Sequence, residues 1–514
     1  MTKEHKMTLD IVRRIRGNLH GSIDISLLED KVIAHPIFQR LRRIRQTAFL
    51  SFVFPGASHS RFEHSLGVMF LANKAWTKIR ENQKRLERGC RQIPNFSQKE
   101  CELSDSSHGL LYPTFKGLDA LFSDTYILQT LRLAALLHDL GHPPFSHSGE
   151  RFLPSLSNFL QSEEKRPEYI QEYLQGLNAL ESREKKGLNP PVRHEIFSIL
   201  LIDRILTEIY SQDANIQYKV NPQDVASVIA PQIPPTSHSP LSTLNAHQVC
   251  HELVSGEIDI DRMDYLQRDS RECGVIYGNF DVDRILDSLT LYHDQKEKCL
   301  HLAIRFSGLA AFEDYLRARQ SMYIQLYFHK TSVACEAMLE ALRERIESWS
   351  LPVDLQAYAN IDEWNMREQL IGAARSTLSE QSFQEFSNIL DDLYYRRKIW
   401  KRVYETTSLH SHDEDFEEIE DVENILKCKG IPYQKVSSIN YITKFQPRKK
   451  SEDSKNYLRL IKKDGKQFPR VLPLEDFSSL ISSKKAVHIH RIYVDLDHAE
   501  EANGILMSSF YEND

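Results

Sequence analysis

The segment 128–147 limits the possible folds of this chain more than any other stretch. Its first half is a dense apolar pattern that predicts a buried helix over 128–138, ended by the glycine and prolines that follow. Burial of His and Asp side chains without partners is unfavourable, so those at the end of this helix should be paired or hold a metal. A satisfied His–Asp pair in the core is the structural alternative. Four ionisable side chains lie within ten residues at this helix end: His138, Asp139, His142 and His147.

Helical periodicity dominates the chain up to about residue 400. Alternating strand–helix signals and glycine-rich phosphate loops are absent from the sequence, so a dinucleotide-binding or P-loop fold has no support. The fold class we predict is mainly α, an all-helical core with a smaller C-terminal α+β lobe. The other predicted helices cover 26–54 with a break at Pro36, 61–78, 192–210, 261–268 and 311–349.

The chain changes character after residue 400. Residues 413–423 hold eight acidic side chains in eleven positions and predict a solvated loop or linker, whereas 424–470 carry 13 Lys/Arg against 3 Asp/Glu. A hairpin with strands at 457–462 and 468–472 and a further strand at 487–494 are predicted. We therefore expect a core at 1–400, with variable insertions at about 81–123 and 155–191, and a lobe at 401–514.

Composition narrows the functional classes. The 65 Lys+Arg and 72 Asp+Glu residues give a formal net charge of −7, which argues against a dedicated nucleic-acid binder. The seven cysteines form no Cys-x-x-Cys pair, so neither a zinc ribbon nor a disulfide framework is expected. The N-terminus has no apolar signal region, and no apolar run approaches the ~18–20 residues of a membrane span. We expect a cytoplasmic protein.

Three other clusters could complete a metal site with the segment 128–147. His64 lies at the start of a predicted helix, and His194 stands between Arg193 and Glu195. The carboxylate-rich stretch 257–269 repeats a polar side chain every four residues, which a solvent-facing stripe would also show. A site built from imidazole and carboxylate suits Mn, Fe, Zn or Mg, and imidazole favours the transition metals.

These motifs resemble a known family. His64, the His138-Asp139 pair and Asp261 resemble the metal signature of the HD-domain phosphohydrolase superfamily. The segments 54–68, 138–147 and 259–269 closely resemble the SAM-and-HD-domain deoxynucleoside triphosphate triphosphohydrolases and their bacterial relatives. The similarity runs from about 21 to 329, with a weaker match at 479–495, and no SAM module is expected before it.

The resemblance implies metal-dependent hydrolysis of dNTPs to deoxynucleoside and inorganic triphosphate. Proton transfer would be handled by His142 and His194. The divalent metal would have four ligands: His64, His138, Asp139 and Asp261. Substrate would be bound by eight further side chains: Gln46, Arg61, His147, Arg262, Tyr265, Asp269, Arg319 and Tyr327.

The implied substrate contacts divide between the phosphates and the nucleoside. On the phosphate side are Arg61, His147 and Tyr265, together with Arg262, which stands where the family has a lysine and so keeps the charge but alters its shape. On the nucleoside side, the sugar 3′-hydroxyl would be held by Gln46 and Asp269. Tyr327 would pack on the deoxyribose, and Arg319 would contact the nucleotide.

One departure from the family concerns regulation. Ala34 occupies the place of an Asp that reads guanine at an activator site, although Gln39, Arg42 and His329-Lys330 match other activator-side residues. Activation by GTP in the same way is not expected, and another nucleotide stays a candidate activator. The family likeness also implies a homo-oligomer.

Two other functions stay open at this level. An HD phosphohydrolase could act on another phosphoester, such as a nucleoside monophosphate, a cyclic nucleotide or a guanosine polyphosphate. A nucleotide- or nucleic-acid-binding regulator could instead use the basic segment 424–470, and its binding would then depend steeply on salt.

Overall fold

The computed structural model describes residues 9–91, 110–111, 118, 121, 124–162, 164–183, 191–213, 216, 219–408, 413–441, 458–463, 469–482 and 486–511. The described chain is mainly helical, and the predicted fold class is confirmed. None of the helices within these ranges has the length and hydropathy that a membrane crossing needs. The turn predicted at 464–465 and most of the predicted insertion at 81–123 lie outside the described residues.

Twelve described helices precede residue 300. The helices predicted at 61–78, 128–138, 192–210 and 261–268 are present and are longer than, or shifted slightly from, the predicted bounds. In chain order they are α1 Leu27–Ala34, α2 Pro36–Gln39, α3 Arg61–Arg91, α4 Thr125–Leu137, α5 Ser146–Gly149, α6 Leu156–Gln161, α7 Glu168–Arg183, α8 His194–Gln212, α9 Pro222–Ile229, α10 Ala246–Ser255, α11 Ile260–Glu272 and α12 Val282–Leu286.

Eight further helices follow in the described ranges. A π-helical turn, Tyr323–Tyr327, interrupts the helix that the sequence predicts over 311–349. They are α13 Leu309–Met322, α14 Lys330–Arg345, α15 Leu355–Ala359, α16 Met366–Thr377, α17 Glu380–Tyr394, α18 Asp413–Cys428, α19 Ser479–Ser482 and α20 Ala499–Tyr511.

The described strands form three sheets. An N-terminal hairpin pairs β1 with β2, a three-stranded sheet has the order β6-β10-β7, and a five-stranded sheet has the order β3-β4-β5-β8-β9. The strands are β1 Ile11–Gly17, β2 Gly21–Ser26, β3 Leu110–Leu111, β4 Leu289–Asp294, β5 Cys299–Arg305, β6 Lys401–Ser408, β7 Gln434–Tyr441, β8 Arg459–Lys462, β9 Arg470–Pro473 and β10 Ala486–Val494.

The structure adds two hairpins, β1-β2 and β4-β5, to the core that the sequence predicts to be helical. The predicted strands at 457–462, 468–472 and 487–494 are confirmed as β8, β9 and β10. Strand β5 pairs in parallel with β8, so one sheet joins strands from both sides of residue 400. The domain boundary at that residue stays a prediction.

The acidic run 413–423, predicted as a loop or linker, belongs instead to helix α18. Its charges conceal an apolar stripe at helical spacing, formed by Ile419, Val422 and Leu426. All three are buried against β10 and α20, where Ile492 and Leu506 lie in the same cluster. Burial of this stripe stabilises the helix.

Helix α4 lies at the centre of the core. Asp124 caps its first turn by accepting from the backbone N–H of Tyr126, and His138 is its C-terminal cap. Every residue from Ile127 to Leu137 is buried, so the helix is enclosed on all sides. Helix α3 packs against α4, and α11 packs against α3 in turn, which places the ends of three helices around one point.

Candidate metal centre and active site

Three helix ends bring the predicted metal ligands together. His64 lies in the first turn of α3, His138 and Asp139 end α4, and Asp261 lies in the first turn of α11. Asp259 caps α11 by accepting from the backbone N–H of Arg262 at 2.8 Å, which starts the helix where Asp261 can face α3 and α4.

The ligand atoms are close enough to share one cation. His64 Nε2 lies 2.9 Å from Asp261 Oδ1, and His138 Nε2 lies 3.5 Å from the same oxygen. The nitrogen atoms of His64 and His138 and the carboxylate oxygen of Asp261 all lie within 4.8 Å of one another. Asp139 lies beside them, with its oxygens 3.5 Å from His64 Nε2 and 3.3 Å from His138 Nε2.

The hydrogen bonds of the two imidazoles fit a metal site. The Nδ1–H of His64 donates to Asp264 at 2.9 Å, and the Nδ1–H of His138 donates to the carbonyl of Ala135 at 2.9 Å. These bonds direct both Nε2 atoms toward the carboxylate of Asp261, and both atoms are buried. Metal-ligating histidines are oriented in this way, so the residues present fit a divalent transition metal.

The charged groups of this cluster shift one another's pKa values. Burial lowers the pKa of His64, but hydrogen bonds to Asp261 and Asp264 outweigh burial and raise the pKa to about 10. Burial disfavours the ionised form of Asp261, yet hydrogen bonds from His138 and His64 lower its pKa. The pKa of Asp139 is also lowered, because Arg61 and the nearby histidines outweigh its burial. Ionised carboxylates are the form that binds a cation.

A second cluster adjoins the first through Asp139. The rings of His142 and His194 stack with centroids 3.6 Å apart, and His142 Nε2 lies 3.4 Å from Asp139 Oδ1. Glu150 accepts from His194 Nδ1 at 2.5 Å and from His147 Nδ1 at 3.1 Å. A cation could also be held by this second cluster, since its ligand atoms lie within 4.8 Å of one another: those of His142, His147, Glu150 and His194.

The pKa values of the two stacked histidines are shifted in opposite directions. Burial, together with the charges of Arg61 and His194, holds the pKa of His142 well below its usual value. Burial also lowers the pKa of His194, but the hydrogen bond to Glu150 outweighs it and raises the pKa. Environments that push two pKa values apart favour a base and an acid at one site.

A strained turn positions Arg61 in this site. Phe145 and Ser146 both have left-handed backbone conformations, with φ of 65° and 54°. The Ser146 hydroxyl donates to the carbonyl of Arg45 at 2.6 Å and accepts from Arg61 Nε at 2.8 Å. The other end of the Arg61 guanidinium binds Asp139. The turn therefore links a cationic side chain to the proposed metal ligands.

A cavity of about 1010 Å³ opens onto both clusters. It brings together nine of the fourteen predicted site residues, from both the metal and the histidine clusters, among its lining. These nine are Gln46, Arg61, His138, Asp139, His142, His147, His194, Asp261 and Tyr265. His64 is buried behind Asp261 and faces Tyr265, with ring centroids 6.4 Å apart.

The remaining predicted substrate residues lie beside the cavity and not in its described lining. Tyr327 donates its hydroxyl to Asp269 at 2.7 Å, and its ring lies 6.2 Å from that of Tyr265. Arg319 donates to the carbonyl of Tyr441 at 2.6 Å. Arg262, predicted to bind phosphate, donates to the carbonyls of Gly256 and Glu257 in the link between α10 and α11. It lies 3.2 Å from the carboxylate of Asp259, which caps α11.

Sequence reasoning missed three side chains that organise this site. Glu150 holds two histidines of the second cluster, Asp264 holds His64, and His59 Nε2 donates to Asp269 at 2.7 Å. The i, i+3 spacing of His147 and Glu150 was the only local signal for Glu150. Asp264 is separated from its imidazole partner by two hundred residues, so no local pattern identifies it.

Two protein-family profiles match the chain. The profile of the HD domain matches residues 127–269, which include both His138-Asp139 and Asp261, and that of an HD-associated region matches 280–440. The chain is an HD-domain protein. The predicted family is therefore confirmed, and the matched HD domain contains three of the four proposed metal ligands.

The chain is also similar to individual proteins from bacteria and animals. It is 32% identical to the uncharacterized protein YwfO of Bacillus subtilis, over 60% of this chain and 49% of YwfO. It is 25% identical to the deoxynucleoside triphosphate triphosphohydrolase SAMHD1 of Gallus gallus, over 78% of this chain and 57% of that protein. The chain spans about half the length of the curated relatives it matches.

Solved structures share the fold of this HD protein. A hypothetical protein from Aquifex aeolicus superposes with a TM-score of 0.61 at 22% identity, covering 96% of this chain and all of its own. A phosphohydrolase from Bacteroides thetaiotaomicron superposes with a TM-score of 0.56 at 23% identity, covering 94% and 99% of the two chains. Hydrolase chemistry of the HD type is supported by this family membership.

Proposed function

We propose that this protein hydrolyses dNTPs to deoxynucleoside and inorganic triphosphate. Water would add its oxygen to the α-phosphorus, and the bond from that phosphorus to the 5′-oxygen of the sugar would break. The leaving oxygen would take up a proton to become the 5′-hydroxyl. The homology to the SAMHD1 triphosphohydrolases supports this choice among the reactions of HD phosphohydrolases.

The observation that carries the proposal is the shared position of Asp139. This carboxylate lies between the metal-ligand cluster, the stacked pair His142–His194 and the guanidinium of Arg61. A bound Mn, Fe, Mg or Zn ion, held by His64, His138, Asp139 and Asp261, would polarise a phosphoryl oxygen. A reacting phosphate would therefore have a cation, a proton acceptor and an arginine within one cavity.

The chain's own residues would handle the protons and the substrate charge. The lowered pKa of His142 favours its neutral form, which would accept a proton from water. His194, whose pKa is raised by its bond to Glu150, can donate one. Arg61 and His147 line the cavity and can bind the phosphates, and an arginine is suited to bidentate contact with phosphate oxygens.

The deoxyribose would be recognised by Gln46, Asp269 and Tyr327. Gln46 lines the cavity directly, whereas Tyr327 contacts the ring of Tyr265, which lines it, and donates to Asp269. In this proposal, Arg262 acts from its position beside Asp259 and Arg319 from its contact with Tyr441. A cytoplasmic homo-oligomer with a nucleotide activator completes the proposal.

Product analysis tests the bond that is broken. Purified protein with Mn or Mg should convert each dNTP to deoxynucleoside and inorganic triphosphate, separated by anion-exchange chromatography. Release of monophosphate and pyrophosphate would refute the assignment. His142→Ala should abolish turnover while metal content stays, whereas Asp139→Ala should lose both, as measured by elemental analysis of the same preparations.

A second candidate is an HD phosphohydrolase for a different phosphoester. The position of Asp269 and Tyr327 outside the described cavity lining favours it, because a phosphate could reach the metal centre without contacting either residue. A panel of nucleoside monophosphates, cyclic nucleotides and guanosine polyphosphates decides between the two. Turnover of one of these in preference to every dNTP would select the second candidate.

A further inference from the structure

The π-helical turn Tyr323–Tyr327 is a local irregularity beside the active site. The backbone N–H of Phe328 donates to the carbonyl of Tyr323 at 2.9 Å, which makes the wide turn. Helix α14 then restarts at Lys330, where the His329 side chain caps the backbone N–H of Thr331. Single π-turns inside helices are rare and occur frequently at functional sites.

The aromatic side chains of this turn reach toward the metal centre. The rings of Tyr323 and Tyr327 lie 5.1 Å apart, and the ring of Tyr327 lies 6.2 Å from that of Tyr265. Tyr265 lines the cavity and faces the ring of His64. A change in the path of the turn would therefore move the aromatic side chain behind the cavity wall.

The C-terminal three-stranded sheet holds the backbone that leaves the turn. On its central strand β10, Arg491 donates to the carbonyl of Phe328 at 2.7 Å, and Tyr493 donates its hydroxyl to the carbonyl of Lys330 at 2.9 Å. On the neighbouring strand β7, the carbonyl of Tyr441 accepts from Arg319, one turn before the irregularity. Three contacts from one sheet thus bracket the π-turn on both sides.

Both side chains on β10 are themselves held in place. Arg491 and Tyr493 are 6% and 1% exposed, and Arg491 Nε donates to Glu405 of β6 at 2.5 Å. Tyr493 packs against buried residues of α14, whereas Ile492, which is also buried, packs with α18 and α20. The strand is enclosed on both faces, so it can act as a rigid support for the turn.

We propose that the C-terminal sheet sets the sugar selectivity of the active site by holding the π-turn. Arg491 and Tyr493 are positioning residues in this scheme, and they act through Tyr327 and its bond to Asp269. The inference rests on the proposed function, in which Tyr327 and Asp269 take part in the recognition of the deoxyribose. It assigns to the lobe outside the matched HD domain a role in choosing between deoxyribonucleotides and ribonucleotides.

The test uses a hydroxyl deletion with a matched control in the same sheet. Tyr493→Phe removes the bond to Lys330 and leaves the ring in its packing. Tyr404→Phe removes a hydroxyl that donates to Glu418 at 2.9 Å, on the side of α18 and away from the turn. For the full-length protein and each variant, kcat/KM is measured for every dNTP and its matching NTP, together with metal content.

Loss of one buried hydrogen bond corresponds to about a fivefold change in an equilibrium. Tyr493→Phe should lower the dNTP-to-NTP ratio of kcat/KM by about fivefold, and Arg491→Ala by about ten- to a hundredfold, because its lost bond is charged. Metal content should stay at the wild-type value, and Tyr404→Phe should keep the wild-type ratio. An equal loss on dNTP and NTP would indicate a purely structural role and overturn the inference.

Hydrogen exchange separates this inference from the proposed function. The amides of 323–330 should exchange faster in Tyr493→Phe than in Tyr404→Phe or the wild type. Faster exchange with an unchanged dNTP-to-NTP ratio of kcat/KM would show that the sheet holds the turn without setting selectivity. Unchanged exchange would show that the sheet does not hold the turn. A wild type that releases no triphosphate from any dNTP refutes the proposed function, and exchange still decides whether the sheet supports the turn.

Discussion

Asp264 should control metal affinity although it is not a proposed ligand. This fully buried carboxylate accepts from His64 Nδ1 at 2.9 Å, from His20 Nε2 at 2.6 Å, and from Arg268 at 2.8 and 2.9 Å. In Asp264→Asn one oxygen becomes an amide group that cannot accept. Each oxygen accepts from two donors, so two of the four donors then face the amide group. In either orientation of the amide, the His64 ring loses the charged partner that orients its Nε2 atom.

The size of the effect follows from this geometry. Loss of a partner that orients a metal ligand weakens metal binding by about 10–100-fold, or about 1.4–2.7 kcal/mol. The same substitution removes the charge that pairs with buried Arg268, and breaking a buried ion pair costs about 3–5 kcal/mol of stability. Metal affinity and the free energy of unfolding must therefore be measured separately.

Calorimetric titration of Mn²⁺ into chelator-stripped protein gives the first quantity, and urea unfolding of the metal-free protein gives the second. Glu29→Gln is the matched control, because Glu29 is also fully buried and accepts from Arg132 Nε at 2.7 Å, but it lies on α1 with Gln129 as its other side-chain partner. Both variants should lose stability, and only Asp264→Asn should lose affinity.

Two results would refute this reasoning. Wild-type Mn²⁺ affinity in Asp264→Asn would mean that the bond to His64 does not orient the ligand. An equal loss of affinity in Glu29→Gln would mean that general loosening of the core, and not the local hydrogen bond, weakens the site.

Three further outcomes are expected. Glu150→Gln should lower kcat by about 100-fold with unchanged metal content, because it weakens the hold on two histidines; an unchanged kcat in steady-state assays would exclude this role. Gly67→Ala should lower the free energy of unfolding, measured in urea, by about 1–3 kcal/mol, because the added Cβ would overlap the Asp264 carboxylate. Gly176 has open space around it, so Gly176→Ala should leave this free energy unchanged or raise it. Below pH 10, metal must displace the proton that His64 holds with its pKa of about 10, so the apparent metal affinity should fall about tenfold for each pH unit that the pH is lowered. Calorimetry in buffers of different ionisation enthalpy should detect the released proton, and no proton release would contradict this.

The helical framework could be predicted because its signals are local. The apolar pattern of 128–138 and the four-residue repeat of 261–269 both became helices, α4 and α11, since periodic burial is encoded within each segment. The predicted hairpin and the strand at 487–494 were confirmed for the same reason. Acidic charge misled the interpretation of 413–423, because burial of Ile419, Val422 and Leu426 stabilises the helix that contains this run.

The break at the π-turn could not be predicted from its own sequence. Residues 311–349 contain no Pro or Gly and follow a helical pattern, yet the backbone widens at 323–327. The contacts that stabilise the wide turn come from Arg491 and Tyr493, on a strand more than one hundred and fifty residues further along the chain. Packing with a distant sheet therefore overrides local propensity here.

The sequence by itself determined the family and the chemical types of the candidate site, because imidazole, carboxylate and guanidinium groups carry their chemistry wherever they lie. Only the tertiary structure decided which of them meet. It joined His64, His138 and Asp261 from three helix ends, added Glu150 and Asp264, and placed Tyr327 behind the cavity wall. Distance and burial set these interactions and the resulting pKa values, and both depend on how separate segments pack.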